Sequence, residues 1–255
     1  MFSEENQEKS EEKDCLKQVC QRAESLFLLA CLSLLLIGKV SAASRPQNIE
    51  PQGKSKMALY MDSLGLENIA EKDSTIAIDL MYARADNFTG TILYDNLREA
   101  YLHPLAMKSL LKAQQLLRQR HPGYRLIVYD AARPMSVQQK MWDVVKGTSK
   151  SRYVSNPARG GGLHNYGLAV DVSILDEAGQ PLPMGTAVDH LGKEAHITNE
   201  QEMVKEGILT EHERQNRLLL RSVMREAGFH SLLSEWWHFN RVSRQTAKEQ
   251  YQPIL

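Results

Sequence analysis

The sequence predicts an α+β fold, a small and mostly antiparallel sheet carrying a metal site with helices packed on one side. Three observations lead there. A chain of 255 residues with 42% apolar side chains can build one globular domain with a sizeable core. Leu168 to Ile174 alternates as a strand should, with Leu168, Val170, Val172 and Ile174 on one face and Ala169, Asp171 and Ser173 on the other. Segments opening at Pro104, Ser136 and Thr210 carry helical stripes, and each ends close to a glycine.

Taken in order, the chain begins with an acidic stretch and the apolar run LFLLACLSLLLI, residues 26–37, which is short for a membrane span. Small residues around Val40 to Ala43 follow it, so residues 1–42 read as a secretory signal, with an uncleaved anchor as the alternative. All three cysteines (Cys15, Cys20, Cys31) sit in that leader, so the domain behind it has neither a disulfide nor a thiolate ligand. It keeps 26 basic and 24 acidic side chains, a balance that calls for neither nucleic acid nor an acidic membrane surface. Residues 43–56 are polar and rich in Pro, Gly and Ser, as a linker would be, and residues 57–255 form the single expected domain.

Within the domain, Thr75 to Met81 is expected as a strand, and YARADNFTG follows as a loop. Pro104 opens a helix that buries Ala106, Leu110, Ala113 and Leu117. Tyr124 to Tyr129 is the next strand, and Pro134 holds Arg133 extended at its end. Ser136 to Lys146 is a helix with Val137, Met141, Val144 and Val145 inward. DEAGQPLPMG reads as a turn and a second strand edge, and residues 192–209 as a mobile loop covering a cleft. Thr210 and Glu213 make a capping box for a helix that buries Leu219, Val223 and Ala227 and stops at Gly228. His103, His121, His190, His196, His212 and His230 lack a carboxylate at metal-ligand spacing and read as surface or turn residues.

The chemistry concentrates in GGGLHNYGLAVDVSI, residues 160–174, and SEWWHFN, residues 234–240. Two imidazoles and a carboxylate, His164, His238 and Asp171, are the protein ligands of a catalytic zinc site with one position left for water. Glycines before and after His164 let it fold back over the strand toward Asp171. Glu235 is the carboxylate that would take the water's proton. In a regular strand Glu235 and His238 face opposite ways, so a bend or bulge is expected there.

The same motifs carry a resemblance. GLHNYGLAVD followed far downstream by SEWWHF resembles the zinc D-alanyl-D-alanine dipeptidases of the vancomycin-resistance type and their carboxypeptidase relatives. YARADNFTG, YDAARP, PLPMG and RQNRLLLRSVMREAGF fall in the matching order between Ile78 and Asn240. The resemblance implies the zinc D,D-peptidase fold, shared with hedgehog-like domains, and one Zn2+ per chain. It makes Arg133 the clamp on the scissile carbonyl oxygen, although an arginine on a loop is ordinarily a solvated group. It makes Tyr82 a substrate contact and Asp189 the counter-ion of a substrate ammonium. One position departs from the pattern: a serine expected two residues before the first histidine is Gly162, which leaves only backbone near the substrate.

The activity so implied is hydrolysis of D-Ala-D-Ala, or of similar dipeptides with a D-configured C-terminal residue, in cell-wall peptide turnover. A peptidoglycan carboxypeptidase or endopeptidase is the alternative. A non-catalytic zinc-stabilised cell-wall-binding module would need the three ligands but neither Glu235 nor Arg133. With its leader used, the enzyme is expected in the periplasm, meeting the membrane only through residues 26–37 if these stay uncleaved.

Overall fold

The computed structural model describes residues 53–255; the apolar run 26–37, its cleavage site and most of the expected linker lie outside the described residues. Ser55, at the linker's end, caps α1 (Lys56–Ser63) by accepting from the amide of Ala58. The strand β1 (Glu67–Asn68) runs into a single turn, α2 (Ile69–Lys72), capped by the Asn68 side chain. β2 is two residues, Ala77–Ile78, where Thr75 to Met81 was expected. The Asp73 carboxylate accepts the Thr75 amide at 2.9 Å and turns the chain before it, and Met81–Ala83 winds into a 3-10 helix after it.

β3 (Tyr101–Leu102) pairs with β1. α3 (Pro104–Arg120) starts at the proline and buries Ala106, Leu110, Ala113 and Leu117 as expected. His103 is its cap, with Nδ1 accepting from the Leu105 amide at 3.2 Å. β4 (Arg125–Asp130) follows, and Pro134 then separates the Arg133 loop from α4 (Met135–Val145). The stripe of α4 runs through Val137, Gln138, Met141 and Val145, which leaves the expected core residue Val144 half exposed on its flank. β5 is Ala169–Leu175.

Residues 192–209 are not an unstructured lid. They hold a 3-10 helix at Lys193–Ala195 and α5 (Glu200–Lys205), and none of them lines the main cleft. His190 also departs from expectation, since Glu194, four residues on, lies 3.1 Å from its ring. α6 (Glu211–Glu226) begins at the expected capping box of Thr210 and Glu213. It buries Asn216, Arg217, Leu220 and Met224 together with the expected Val223 and, at its end, Ala227, whereas Leu219 is only partly covered. β6 (His230–Leu232), β7 (Glu235–Asn240) and α7 (Arg244–Gln250) complete the chain.

The main sheet has the order β2-β4-β5-β7-β6, with only the β2–β4 pair parallel, so the architecture is α+β as the sequence predicts. α3 and α6 pack on each other and reach β4, β6 and β7. Val170, Val172 and Ile174 join Leu110, Leu117, Val223 and Phe239 in one buried cluster. The opposite face of β5 is buried as well: Asp171 is 4% and Ser173 3% exposed. A carboxylate in such a place needs partners, because burying a charge alone is expensive.

Gly167 shows how tightly the approach to β5 is built. It sits at φ +65°, and a Cβ there would meet the backbone nitrogen of His103 at 2.9 Å. Left-handed backbone and overpacking each cost roughly 1–3 kcal/mol. Gly167→Ala should therefore lower the unfolding free energy by about 2–4 kcal/mol, read from the urea midpoint.

Candidate active site

Asp171 and His238 meet because β5 and β7 pair in the register Asp171↔His238, and residues directly opposite in an antiparallel pair project to the same side. Asp130 is brought into the same row from β4. The β4–β5 register slips between Val128 and Asp130, so Asp130 and not Tyr129 lies across from Asp171. His164 comes from the 3-10 helix Leu163–Tyr166, whose end is turned by Gly167. The expected irregularity is also present in β7. Ser231 pairs with Phe239 but Leu232 pairs with Glu235, and the slack brings a Glu235 oxygen to 3.8 Å from Nδ1 of His238.

The three atoms at the centre are His164 Nε2, His238 Nδ1 and Asp171 Oδ1, and all three residues are buried. Their separations are 3.1 Å between the nitrogens, 3.0 Å from His238 to Asp171 and 3.3 Å from His164 to Asp171. The far nitrogens settle the tautomers. His164 Nδ1 lies 2.7 Å from the Ala131 carbonyl, and His238 Nε2 lies 2.8 Å from Oδ1 of Asn240. Each far nitrogen must donate to its oxygen, so a neutral imidazole presents a lone pair inward. Two such lone pairs and a carboxylate facing one another repel unless a cation sits among them. An N–H donated outward to a fixed oxygen is also how metal-binding histidines are oriented. The donor set, two imidazole nitrogens and one carboxylate oxygen without thiolate, suits zinc with an open fourth position. Burial opposes the charge on Asp171, so the carboxylate needs positive charge beside it; where that charge is present the carboxyl is held well below the usual range.

Arg133 is packed against the same row. Its Nε donates to Asp130 Oδ2 at 2.9 Å and Nη1 to Gln138 Oε1 at 2.9 Å, while Nη2 also contacts Asp130 and lies 4.0 Å from Asp171. The Tyr94 hydroxyl takes the other Asp130 oxygen at 2.6 Å. Burial disfavours the guanidinium charge, yet Asp130 reverses the balance and keeps Arg133 firmly protonated. Its planar end lies 5.1 Å from the centre of the Tyr82 ring.

In the same cleft the Tyr82 hydroxyl donates to Asp189 at 2.9 Å, and the Phe88 amide donates to its second oxygen at 3.3 Å. Asp189 has φ +69°, the left-handed region that glycine usually takes. Burial pushes its carboxyl up to about 7 against the pull of those two donors. Glu235 is likewise pushed up to about 7, by burial first, with Asp171 and Asp189 adding to it and His238 opposing.

These residues line one cavity of about 540 Å³ that includes Arg133, His164, Asp171, Asp189, Glu235 and His238. Tyr82 and Gly162 are on its wall too, so the structure gathers every residue singled out from the sequence. It adds several that sequence reasoning passed over: Asp130 and Asn240 behind the central groups, Gln138 beside Arg133, and Ser155. Asp130 and Asn240 stand inside the quoted motifs YDAARP and SEWWHFN, so a signal was present for them. For Ser155 there was none. Its Oγ lies 3.0 Å from the point that a Cβ on Gly162 would occupy, so a hydroxyl stands close to the position where the sequence suggested backbone alone.

The fold and the site define a metallopeptidase of the D,D-peptidase type. The chain belongs to the D-ala-D-ala dipeptidase family, whose model matches residues 62–253. It is 32% identical to the D-alanyl-D-alanine dipeptidase of Escherichia coli over 178 residues, 70% of this chain and 85% of the relative. The D-alanyl-D-alanine dipeptidase of Enterococcus faecium is 31% identical over 63% of this chain and 83% of its own length. That of Synechocystis is 28% identical over 53% of this chain and 66% of its own.

The facing lone pairs lead to a test that touches no ligand. Asn240 fixes the tautomer of His238 from behind, so Asn240→Ala should weaken metal retention by roughly 10–100-fold. Competition with a chelator, followed by elemental analysis, measures it.

Proposed function

We propose that this protein is a zinc-dependent dipeptidase that hydrolyses D-Ala-D-Ala and similar small dipeptides with a D-configured C-terminal residue. The observation that carries the reading is the pairing of a metal-capable centre with a buried, amine-seeking carboxylate in one cavity. His164, Asp171 and His238 would hold the ion, which when bound lowers the pKa of a coordinated water to about 7 and polarises a carbonyl oxygen.

The remaining chemistry belongs to this chain's side chains. Glu235, with its pKa raised by burial to about 7, is suited to take a proton from the attacking water and return it to the leaving nitrogen. The amide C–N bond breaks, the new C–O bond gives a carboxylate, and the released amine carries the proton away. Arg133 remains cationic beside the centre, where it can stabilise negative charge growing on the carbonyl oxygen. Asp130 and Gln138 hold its fork in place, so little reorganisation is needed at the moment of reaction.

Asp189 would accept the substrate's ammonium. It is ringed by Tyr82 and Phe88 and is short of charge partners, so an incoming cation relieves the unfavourable burial that raises its pKa. That feature favours a dipeptidase over a carboxypeptidase, whose substrates carry an acylated nitrogen at this point. The apolar run at residues 26–37 supports work outside the cytoplasm, in turnover of wall peptides.

Two outcomes test the reading. Glu235→Gln should retain the metal and lose turnover of D-Ala-D-Ala by at least about 10²–10⁴-fold; loss of metal together with activity would assign Glu235 to the ligand set instead. For Asp189 the sign follows from its raised pKa. Below about pH 7 the carboxyl is protonated and cannot pair with an ammonium, so kcat/KM for the free dipeptide should fall as pH drops through that region. Glu235 titrates in the same region, so in Asp189→Asn the limb should become shallower but persist, while most of the preference for free over N-acetylated dipeptide is lost. Equal rates on the two substrates in the native enzyme would favour the carboxypeptidase reading.

A further inference from the structure

The segment carrying Asp189 has little regular structure, yet it must hold a non-glycine residue in left-handed backbone. What restrains it comes from α6. Arg217, 1% exposed, donates from Nε to the Met184 carbonyl at 2.7 Å and from Nη2 to the Glu194 carbonyl at 3.0 Å. Those carbonyls lie five residues before and five residues after Asp189. One guanidinium therefore ties the two ends of the segment together. Beside it, Asn216 donates to the Pro183 carbonyl at 2.8 Å. The Trp236 indole N–H, on the strand that carries Glu235 and His238, donates to Thr186 at 2.8 Å, and Arg217 lies 5.8 Å from a Trp236 ring centre.

A buried arginine is a costly way to hold two loop carbonyls, since its third nitrogen, Nη1, has no hydrogen-bond partner and faces Glu200 at 3.8 Å. A lone surface loop would not need it. We infer that Arg217, with Asn216, is the positioning residue for amino-terminus recognition, holding the 183–194 segment so that Asp189 meets the substrate's ammonium. This rests on the proposed role of Asp189.

The physical reason is pre-organisation. Left-handed backbone at Asp189 costs about 1–2 kcal/mol, so a segment freed at its ends would relax away from the binding geometry. Apparent affinity then falls by the fraction of molecules still holding that geometry. Lysine keeps the charge but has no planar fork, so it cannot span both carbonyls.

The test compares the zinc-loaded Arg217→Lys, Asn216→Ala and Asp189→Asn proteins on D-Ala-D-Ala and N-acetyl-D-Ala-D-Ala. In Arg217→Lys the preference for the free dipeptide should fall about tenfold, as expected for one lost charge-assisted hydrogen bond, and mainly through KM. Asn216→Ala should shift it the same way, by about threefold. Adding either change to Asp189→Asn should lower the preference no further, because both act through that carboxylate. If Asp189→Asn removes the preference while Arg217→Lys leaves it intact, the inference is wrong and Asp189 keeps its role. If Asp189→Asn itself leaves the preference intact, the Asp189 reading fails and takes the inference with it. Should Arg217→Lys not fold, an unchanged preference in folded Asn216→Ala overturns the inference.

Discussion

Two imidazole nitrogens and a carboxylate oxygen face one another across 3.0–3.3 Å, and with their outward nitrogens donating, neutral imidazoles have no proton to place between them. The folded chain carries this repulsion because three separate pieces of backbone deliver the groups: the β5–β7 register, the 3-10 helix at Leu163–Tyr166, and the Ala131 carbonyl at the end of β4. A cation relieves the repulsion, and stability and chemistry then depend on the same contact. The rigid sheet beneath is what keeps the groups from simply moving apart.

Around that centre the carboxylates are sorted by their surroundings. Asp130 is matched by Arg133, while Asp171 faces two imidazole nitrogens with which it would share a cation. Glu235 is buried and Asp189 half-buried in the cleft without such a match, and burial raises both to about 7. One fold thus holds carboxylates in contrasting environments, as the proposed division of roles between them requires. Environments that push titratable groups apart are how a site separates its roles.

The cleft wall also carries surfaces of different character. Near Gly162 and Ser155 the wall is built from short side chains and backbone, while at Asp189 it is a carboxylate held by Tyr82, Phe88 and a segment anchored on α6. In the proposed reading, a small zwitterion would place its amine at Asp189 and its peptide bond at the His164, Asp171 and His238 centre. A long peptide has no free amine to offer there.

Much of this was legible in the chain itself. The alternation in Leu168 to Ile174, the stripe of α3, the capping box of α6, and the His164, Asp171, Glu235 and His238 spacing are local properties, governed by strand and helix periods and by ligand chemistry. Even the bulge beside Glu235 followed from the alternation, since an unbroken strand would turn it away from His238. What only the tertiary structure decided depends on contacts between distant segments. The slip that puts Asp130 opposite Asp171, the outward hydrogen bonds that set both imidazoles, the hydroxyl of Ser155 beside Gly162, and the grip of Arg217 on residues 184 and 194 leave no trace in local pattern. α6 shows the difference most plainly. Its capping box was readable because it is local, as were Val223 and Ala227, whereas the burial of Asn216 and Arg217 was set by a loop that the helix meets only after folding.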